Sequence, residues 1–305
     1  MNNVIKYIKE NNIGKYKENV SLSTLTTYKI GGIASVIVYP KSIDKLVLLL
    51  KYLNNFDIKH KVLGFGSNLI FSDKKYDGVI IKLDEFNDLE INGNVIVVGS
   101  GYSLMKLSHD AYKHSLTGLE FAAGIPGTIG GACFMNAGAY KSDMGYIVKS
   151  IKVLTPELEI KTLYNKDLHY KYRTSFLKNN PNYICLQATI KLNYGDKKAI
   201  KELMDNRRQR RIKEQPLNYP SAGSVFRNPE GNYAGKLIED SNLKGYKIGG
   251  AQVSVKHANF IINKGKAKAS DVKKLIEYVH DKVKENYDID LKIEQEFVNW
   301  EWYYG

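Results

Sequence analysis

FAAGIPGTIGGACFMNAGAY, residues 121–140, holds no charged side chain, although one residue in four along the chain is charged and the net charge is +13. Two readings fit such a stretch. Small residues let helices and strands pack closely, which would make it core. Alternatively, its backbone lies against a ligand. Glycine permits close approach and positive φ, and successive N–H groups can then face phosphate oxygens without any lysine. A second stretch of this kind, VLGFGSNLIFSD (62–73), puts Gly64, Gly66, Ser67 and Asn68 after a short apolar strand. Neither stretch is a GxGxxG opening a helix between parallel strands with an acid downstream, so the doubly wound dinucleotide scheme is excluded. Two such loops in a mainly antiparallel half point to a dinucleotide held in another way.

Outward from the loops the pattern is α+β. Ser42 caps a helix over 42–53, with Ile43, Leu46, Val47 and Leu50 at helical spacing. VIIKL (79–83) reads as a strand. LEI and VIVVGSG form a hairpin about Asn92-Gly93, SIKVLT and LEIKTL another about Pro156-Glu157, and YICLQATIKLNYG (183–195) a closing strand. After Gly195 a basic helix runs to Pro216, followed by short strands at AGSVFRNP, GAQVSV and ANFIIN. An amphipathic helix from Ser270 to about Asn286 carries Val272, Leu275, Ile276, Val279 and Val283, and the chain closes in strand-like LKIEQEFVNWEWYY. The fold class is therefore α+β, with a smaller second domain beginning near residue 196.

A length of 305 residues allows two or three domains, and an apolar content of 43 % is ordinary for a globular protein. The only cysteines, Cys133 and Cys185, lie in apolar runs and make no disulfide framework, which suits a reducing cytosol. The N-terminus lacks the pattern of a signal peptide, and no apolar run is long enough for a bilayer, so a cytoplasmic protein is expected. The positive charge is mostly lysine spread along the chain. Its one cluster, NRRQRRIKE (206–214), turns Arg207, Arg208, Arg210 and Arg211 in several directions around a helix, which favours a solvated face over a nucleic-acid surface. The six histidines show no paired metal spacing, so no metal is expected.

Three polar stretches could carry chemistry. YRTSF (172–176) presents Arg173 and Ser175; an arginine fork can hold a carboxylate, a surface ion pair being the plainer reading. PSAGSVFRNP (220–229) displays Ser221, Ser224, Arg227 and Asn228 on a small-residue turn. Without a GxSxG elbow or a histidine partner this is no hydrolase serine, but it could donate a proton, or be only a polar turn. IEQEFVNW (293–300) places Glu294 and Glu296 on one strand face, opposite Ile293, Gln295 and Phe297; a solvated face is the alternative.

Together, LTTYKIGGIA (25–34), GFGSNLIFSD (64–73), GLEFAAGIPGTIGGACFMNAGAY (118–140), YRTSF, QPLNYPSAGSVFRNP (215–229), GYKIGGAQVSVKHANFIIN (245–263) and EQEF (294–297) resemble the UDP-N-acetylenolpyruvoylglucosamine reductase family, flavoenzymes of bacterial cell-wall precursor synthesis, over nearly the whole chain. The resemblance implies an FAD-binding half of the vanillyl-alcohol-oxidase type in two subdomains, 1–83 and 84–195. A substrate-binding α+β domain, 196–305, follows, and its C-terminal strand returns to the active site. It implies non-covalent FAD held by Gly64, Gly66, Ser67, Asn68 and Leu69, and by Gly124, Ile125, Pro126, Gly127, Thr128, Gly130, Gly131, Ala132, Asn136 and Gly138. NADPH would reduce the flavin, and hydride would pass from flavin N5 to the methylene carbon of the enolpyruvyl ether. Arg173 would stabilise the enolate, Ser224 would protonate the carbon bearing the carboxylate, and Glu296 would assist. Tyr172, Arg227, Asn228 and His257 match substrate contacts. No nucleic-acid or membrane partner is implied, and a monomer or weak dimer is expected. Ser224 follows Arg173 by about fifty residues, which places the chain with the shorter class lacking the tyrosine-bearing lid. AYKSD (139–143) stands where glycine-glycine-acid is usual, and Gln295 where proline is common.

Overall fold

Alternating apolar residues in Val148–Leu154 and Ile184–Lys191 build the largest sheet of the computed structural model, which describes residues 1–301. Its five antiparallel strands run in the order Ile160–Tyr164, Val148–Leu154, Ile184–Lys191, Val95–Gly99, Leu89–Asn92. Inward residues Ile96, Val98, Ile151, Val153, Ala188 and Ile190 share one core with Leu107 of the helix Leu104–Lys113 and Ile129 and Cys133 of the helix Ile129–Met135. Each fully buried aliphatic side chain contributes about 1.5–3 kcal/mol of transfer free energy, so this core fixes the floor beneath 121–140. The sheet belongs to the first of two compact units, made of residues 1–18, 36–65 and 78–209.

A second sheet has the order Gly14–Ser21, Ile33–Pro40, Tyr76–Ile81, His60–Val62, its last pair parallel with Val62 opposite Ile81. The helix Ile43–Asn55 buries Leu46, Leu49, Leu50 and Leu53 with Val36, Val38, Val79 and Ile81. Ser42 caps it, accepting from the Lys45 amide, as its place before the apolar periodicity predicts.

The second unit comprises residues 19–35, 66–77 and 210 onward. Val272, Leu275, Ile276, Val279 and Val283 line the buried stripe of the helix Ala269–Tyr287. They share a core with Ala251, Val253 and Ile261 of the three-stranded antiparallel sheet Lys247–Ile248, Ala251–Val253, Ile261–Asn263. The strand Glu296–Val298 pairs parallel with Leu69–Phe71.

Three local expectations shift. Asn92 pairs with Val95, so the first hairpin turns on Gly93-Asn94, one residue later, with Gly93 at φ +58°. AGSVFRNP is not a strand: Gly223 at φ +77° bends it, and only Phe226 bridges to Ile293. The closing strand shortens to Glu296–Val298, and residues 302–305 of that stretch lie outside the described residues. Among the described residues no helix is long and apolar enough to cross a membrane.

Candidate active site

The uncharged segment splits between the two readings. Gly130 is there for packing: a Cβ would sit 3.1 Å from the Ser100 Cβ, and the Gly130 amide donates to the Ser100 carbonyl at 2.8 Å. Gly138 likewise has the Asp143 Cβ and the Ser142 carbonyl oxygen at 2.5 Å from where its own Cβ would stand. Between them, Thr128 caps the helix Ile129–Met135, its Oγ1 accepting from the Gly131 amide at 3.2 Å. Asn136 ends that helix at φ +45°, and its buried amide is engaged at both ends, by the Lys171 carbonyl and the Gly145 amide.

Backbone donors are left open at Thr128 and at the neighbouring loop. Gly64 lies so close that a Cβ there would stand 2.7 Å from Thr128 Oγ1. The Gly127 carbonyl accepts from the Leu104 amide at 2.9 Å, while the Thr128 N–H has no hydrogen-bond partner among the described residues. The Phe65 N–H has none either, and the Ser100 hydroxyl beside Gly130 is buried with no partner among the described residues. Open amides on two touching glycine loops, with no carboxylate within residues 64–69 or 124–138, fit the diphosphate of a dinucleotide. The cofactor fits the residues present.

Gly66 is conformational: φ is +62°, and a Cβ would meet the Leu25 carbonyl oxygen at 2.3 Å. The Asn68 side-chain amide donates to the Glu294 carbonyl at 3.2 Å, and its own carbonyl accepts from the Glu296 amide at 2.9 Å. One loop residue thereby holds the segment that carries both acids.

Arg173, in the first unit, stands at φ +55°, a region side chains seldom adopt. Its Nη2 donates to the Gly138 carbonyl at 3.0 Å, and the guanidinium lies 5.2 Å from the Tyr172 ring centre. Ser175 is structural: fully buried, it caps the helix Phe176–Asn179 and donates to the Phe134 carbonyl at 2.6 Å.

Ser224, Arg227, Asn228, His257 and Glu296 all belong to the second unit. The serine turn is clamped from two sides. Asn259 binds the Val225 amide through its carbonyl and both polar groups of Phe226 through its side chain. Buried Gln295 donates from Nε2 to the carbonyls of Ala222 at 3.2 Å and Gly223 at 3.1 Å, while the Glu294 amide donates to Val225. Of the expected alternation only Gln295 stands out as buried; Glu294 and Glu296 are half-buried, and so are Ile293 and Phe297. Arg227 keeps a buried Nε with no partner among the described residues, a donor suited to an anionic ligand. Asn228 accepts from the Ala234 amide at 3.1 Å. His257 accepts through Nδ1 from the Asn259 amide, leaving Nε2 to carry the proton, and burial lowers its pKa below 6.5.

Sequence reasoning missed Asn259 and the clamping role of Gln295, although Gln295 was marked by standing where proline is common. A cavity of about 340 Å³ in the second unit, lined by Pro216, Leu217, Tyr219, Val255, Lys256 and Lys264 among others, includes none of the nominated residues. Among the described residues no three His, Cys, Asp or Glu side chains gather into a metal-sized group.

Comparison with known proteins places these features. Residues 34–164 match the FAD binding domain family, and residues 215–298 match the C-terminal domain of UDP-N-acetylenolpyruvoylglucosamine reductase. The reductases of that name from Halalkalibacterium halodurans and Bacillus subtilis are 45 % and 44 % identical over 299 residues, covering 98 % of this chain and 99 % of theirs. The crystal structure of the Thermus caldophilus reductase is 32 % identical, with a TM-score of 0.79, over 93 % of this chain and 98 % of that one. The fold and the family matches define an FAD-containing oxidoreductase, with an FAD-binding domain of the vanillyl-alcohol-oxidase type and a reductase C-terminal domain. Within that class, the chain belongs to the UDP-N-acetylenolpyruvoylglucosamine reductase family.

Proposed function

We propose that this protein reduces the enolpyruvyl ether of UDP-N-acetylglucosamine to UDP-N-acetylmuramate in peptidoglycan precursor synthesis, with NADPH as reductant. FAD, held by the two glycine loops, would supply the redox chemistry that links NADPH oxidation to reduction of the enolpyruvyl methylene carbon. The two glycine loops, from Gly64 to Leu69 and from Gly124 to Gly138, hold the cofactor without a covalent bond. We assign residues 1–83 and 84–195 to its two subdomains and 196–305 to the substrate domain.

The protein's own part is charge and proton. As hydride arrives, negative charge develops on the carboxylate side of the substrate. Arg173 stabilises it, a contribution of about 3–4 kcal/mol by analogy with single oxyanion donors. Ser224 gives a proton to the carbon bearing the carboxylate, completing the lactyl ether, and Glu296 supports that charge shift. Tyr172, Arg227, Asn228 and His257 hold the substrate. No macromolecular or membrane partner is needed, and a cytoplasmic monomer or weak dimer suffices for a small soluble substrate.

The single observation carrying this reading is the clamped serine turn. Gln295, between Glu294 and Glu296, fixes the carbonyls of Ala222 and Gly223, so Ser224 and the acid strand are one rigid piece. The test is anaerobic. NADPH should bleach the flavin band, and the enolpyruvyl ether, added after excess nicotinamide is removed, should restore it. A band that bleaches and never returns would overturn the substrate and leave the flavoprotein fold standing.

A further inference from the structure

Lys82 buries a charge where the fold has no evident need of one. It follows directly on the strand Tyr76–Ile81, and parallel pairing of Ile81 with Val62 brings it beside the start of the glycine loop at Gly64. Its side chain is 7 % exposed. Nζ donates to the Gly64 carbonyl at 2.5 Å, lies 3.3 Å from Asp84 Oδ1, and sits 5.8 Å from the Phe65 ring centre. Asp84 is 47 % exposed, so it neutralises the ammonium only in part. Withdrawing an ammonium from water is costly, and an apolar residue here would merely leave one carbonyl unpaired.

Peptide geometry supplies a purpose. No peptide bond among the described residues is cis, so each C=O points opposite to the following N–H. Fixing the Gly64 carbonyl toward Lys82 therefore fixes the Phe65 N–H the other way, where it meets no described residue. The Gly127-Thr128 peptide is set by the same device, its carbonyl tied to the Leu104 amide and its N–H open. An ammonium on the carbonyl also polarises the peptide and strengthens the N–H as a donor.

We propose that Lys82 is a positioning residue for FAD: it touches no cofactor atom, but orients and polarises the Gly64-Phe65 peptide so that the Phe65 N–H meets a diphosphate oxygen. This rests on the glycine loops being the diphosphate site. The test uses the full-length chain stripped of flavin, with FAD and riboflavin as probes, the second lacking phosphate. Lys82→Met is expected to weaken FAD about 10- to 100-fold, with riboflavin unchanged and Lys82→Arg within about 3-fold of wild type. Unchanged FAD affinity in Lys82→Met, or an equal loss for riboflavin, overturns the proposal. If wild-type protein itself binds the two probes equally, the diphosphate site is misplaced. Should Lys82→Met fail to fold, amide exchange in wild type decides: the Phe65 N–H should slow with FAD and not with riboflavin, and an unchanged rate with FAD overturns the role.

Discussion

The glycine loops and the serine turn use the same groups in opposite ways. Around Thr128 and Phe65 the carbonyls of the preceding residues are tied down and the amides are left open. Around Ser224 the backbone is consumed: Ala222, Gly223, Val225, Phe226 and Arg227 all bond within the fold, which leaves side chains to face a ligand. On the proposed function the first region would bind with its main chain, so conformation is what substitution threatens there. The second would bind with functional groups on an over-determined backbone, so their chemistry is what substitution threatens. FAD, large and constant, suits the first; a reacting substrate that must gain a proton needs the second.

The largest effect should come from breaking conformation in the first region, because loss of FAD abolishes both half-reactions together. Gly66→Val places a branched Cβ at φ +62°, where even an unbranched one lies 2.3 Å from the Leu25 carbonyl oxygen. FAD affinity is expected to fall at least about 100-fold, giving a colourless preparation. Phe65→Leu changes only a side chain in the same loop and should stay within about 3-fold of wild-type affinity. If the two variants behave alike, the loop does not bind by backbone.

In the second region the order reverses. Ser224→Ala leaves the turn intact and removes one hydroxyl. Flavin reoxidation by the enolpyruvyl ether should slow about 10²- to 10⁴-fold, with reduction by NADPH unchanged. Equal slowing of both half-reactions would remove Ser224 from the proton-donor role. Gln295→Met keeps the volume and deletes the two donors holding Ala222 and Gly223. Reoxidation should slow about 10-fold, again leaving reduction alone, because a serine displaced by a fraction of an ångström donates poorly. A drop in thermal stability without that split would make Gln295 a packing residue only.

These contrasts explain what could be read in the sequence. The stripe of the helix Ala269–Tyr287 and the Ser42 cap depend on neighbours three or four residues away, and periodicity reveals such spacing. The bare segment 121–140 stood out because a stretch without charged side chains leaves a compositional trace. It was not divisible: nothing in the letters separates Gly130, which packs on Ser100, from Thr128, whose amide is open. The clamps were invisible for a related reason. Gln295 reaches Ala222 and Gly223 across 73 and 72 residues, and spacing carries no signal at that range. Lys82, 18 residues from Gly64, sits inside the apolar run VIIKL, which reads as a strand; the strand ends at Ile81, and nothing in the letters shows the ammonium reaching the Gly64 carbonyl.

The smallest expected effect contrasts two histidines of the second unit through acid and base. Partial burial disfavours charge on His280, but hydrogen bonds to Asp281 and Asp290 outweigh it and raise its pKa above 6.5. Asp290, bonded by Lys292 and His280, is drawn down to about 2. A raised histidine stabilises the fold fully below its unfolded value and loses this as pH climbs through the folded value. The lowered aspartate contributes above 3.8 and loses this as pH falls toward 2. Their shared window therefore runs from about pH 4 to 6.5. His280→Gln should cost less than about 1 kcal/mol in urea unfolding at pH 5.5, because the pair is largely solvated, and nothing at pH 9. His257 slopes the other way: burial lowers its pKa, so its contribution stands above 6.5 and fades as the medium is acidified. His257→Asn should flatten the loss of stability between pH 7 and pH 5, the span in which His280→Gln costs most. If both variants lost stability equally at pH 5.5 and pH 9, neither histidine would act through its charge, and the enclosure of His257 beside Asn259 would have to be explained by packing alone.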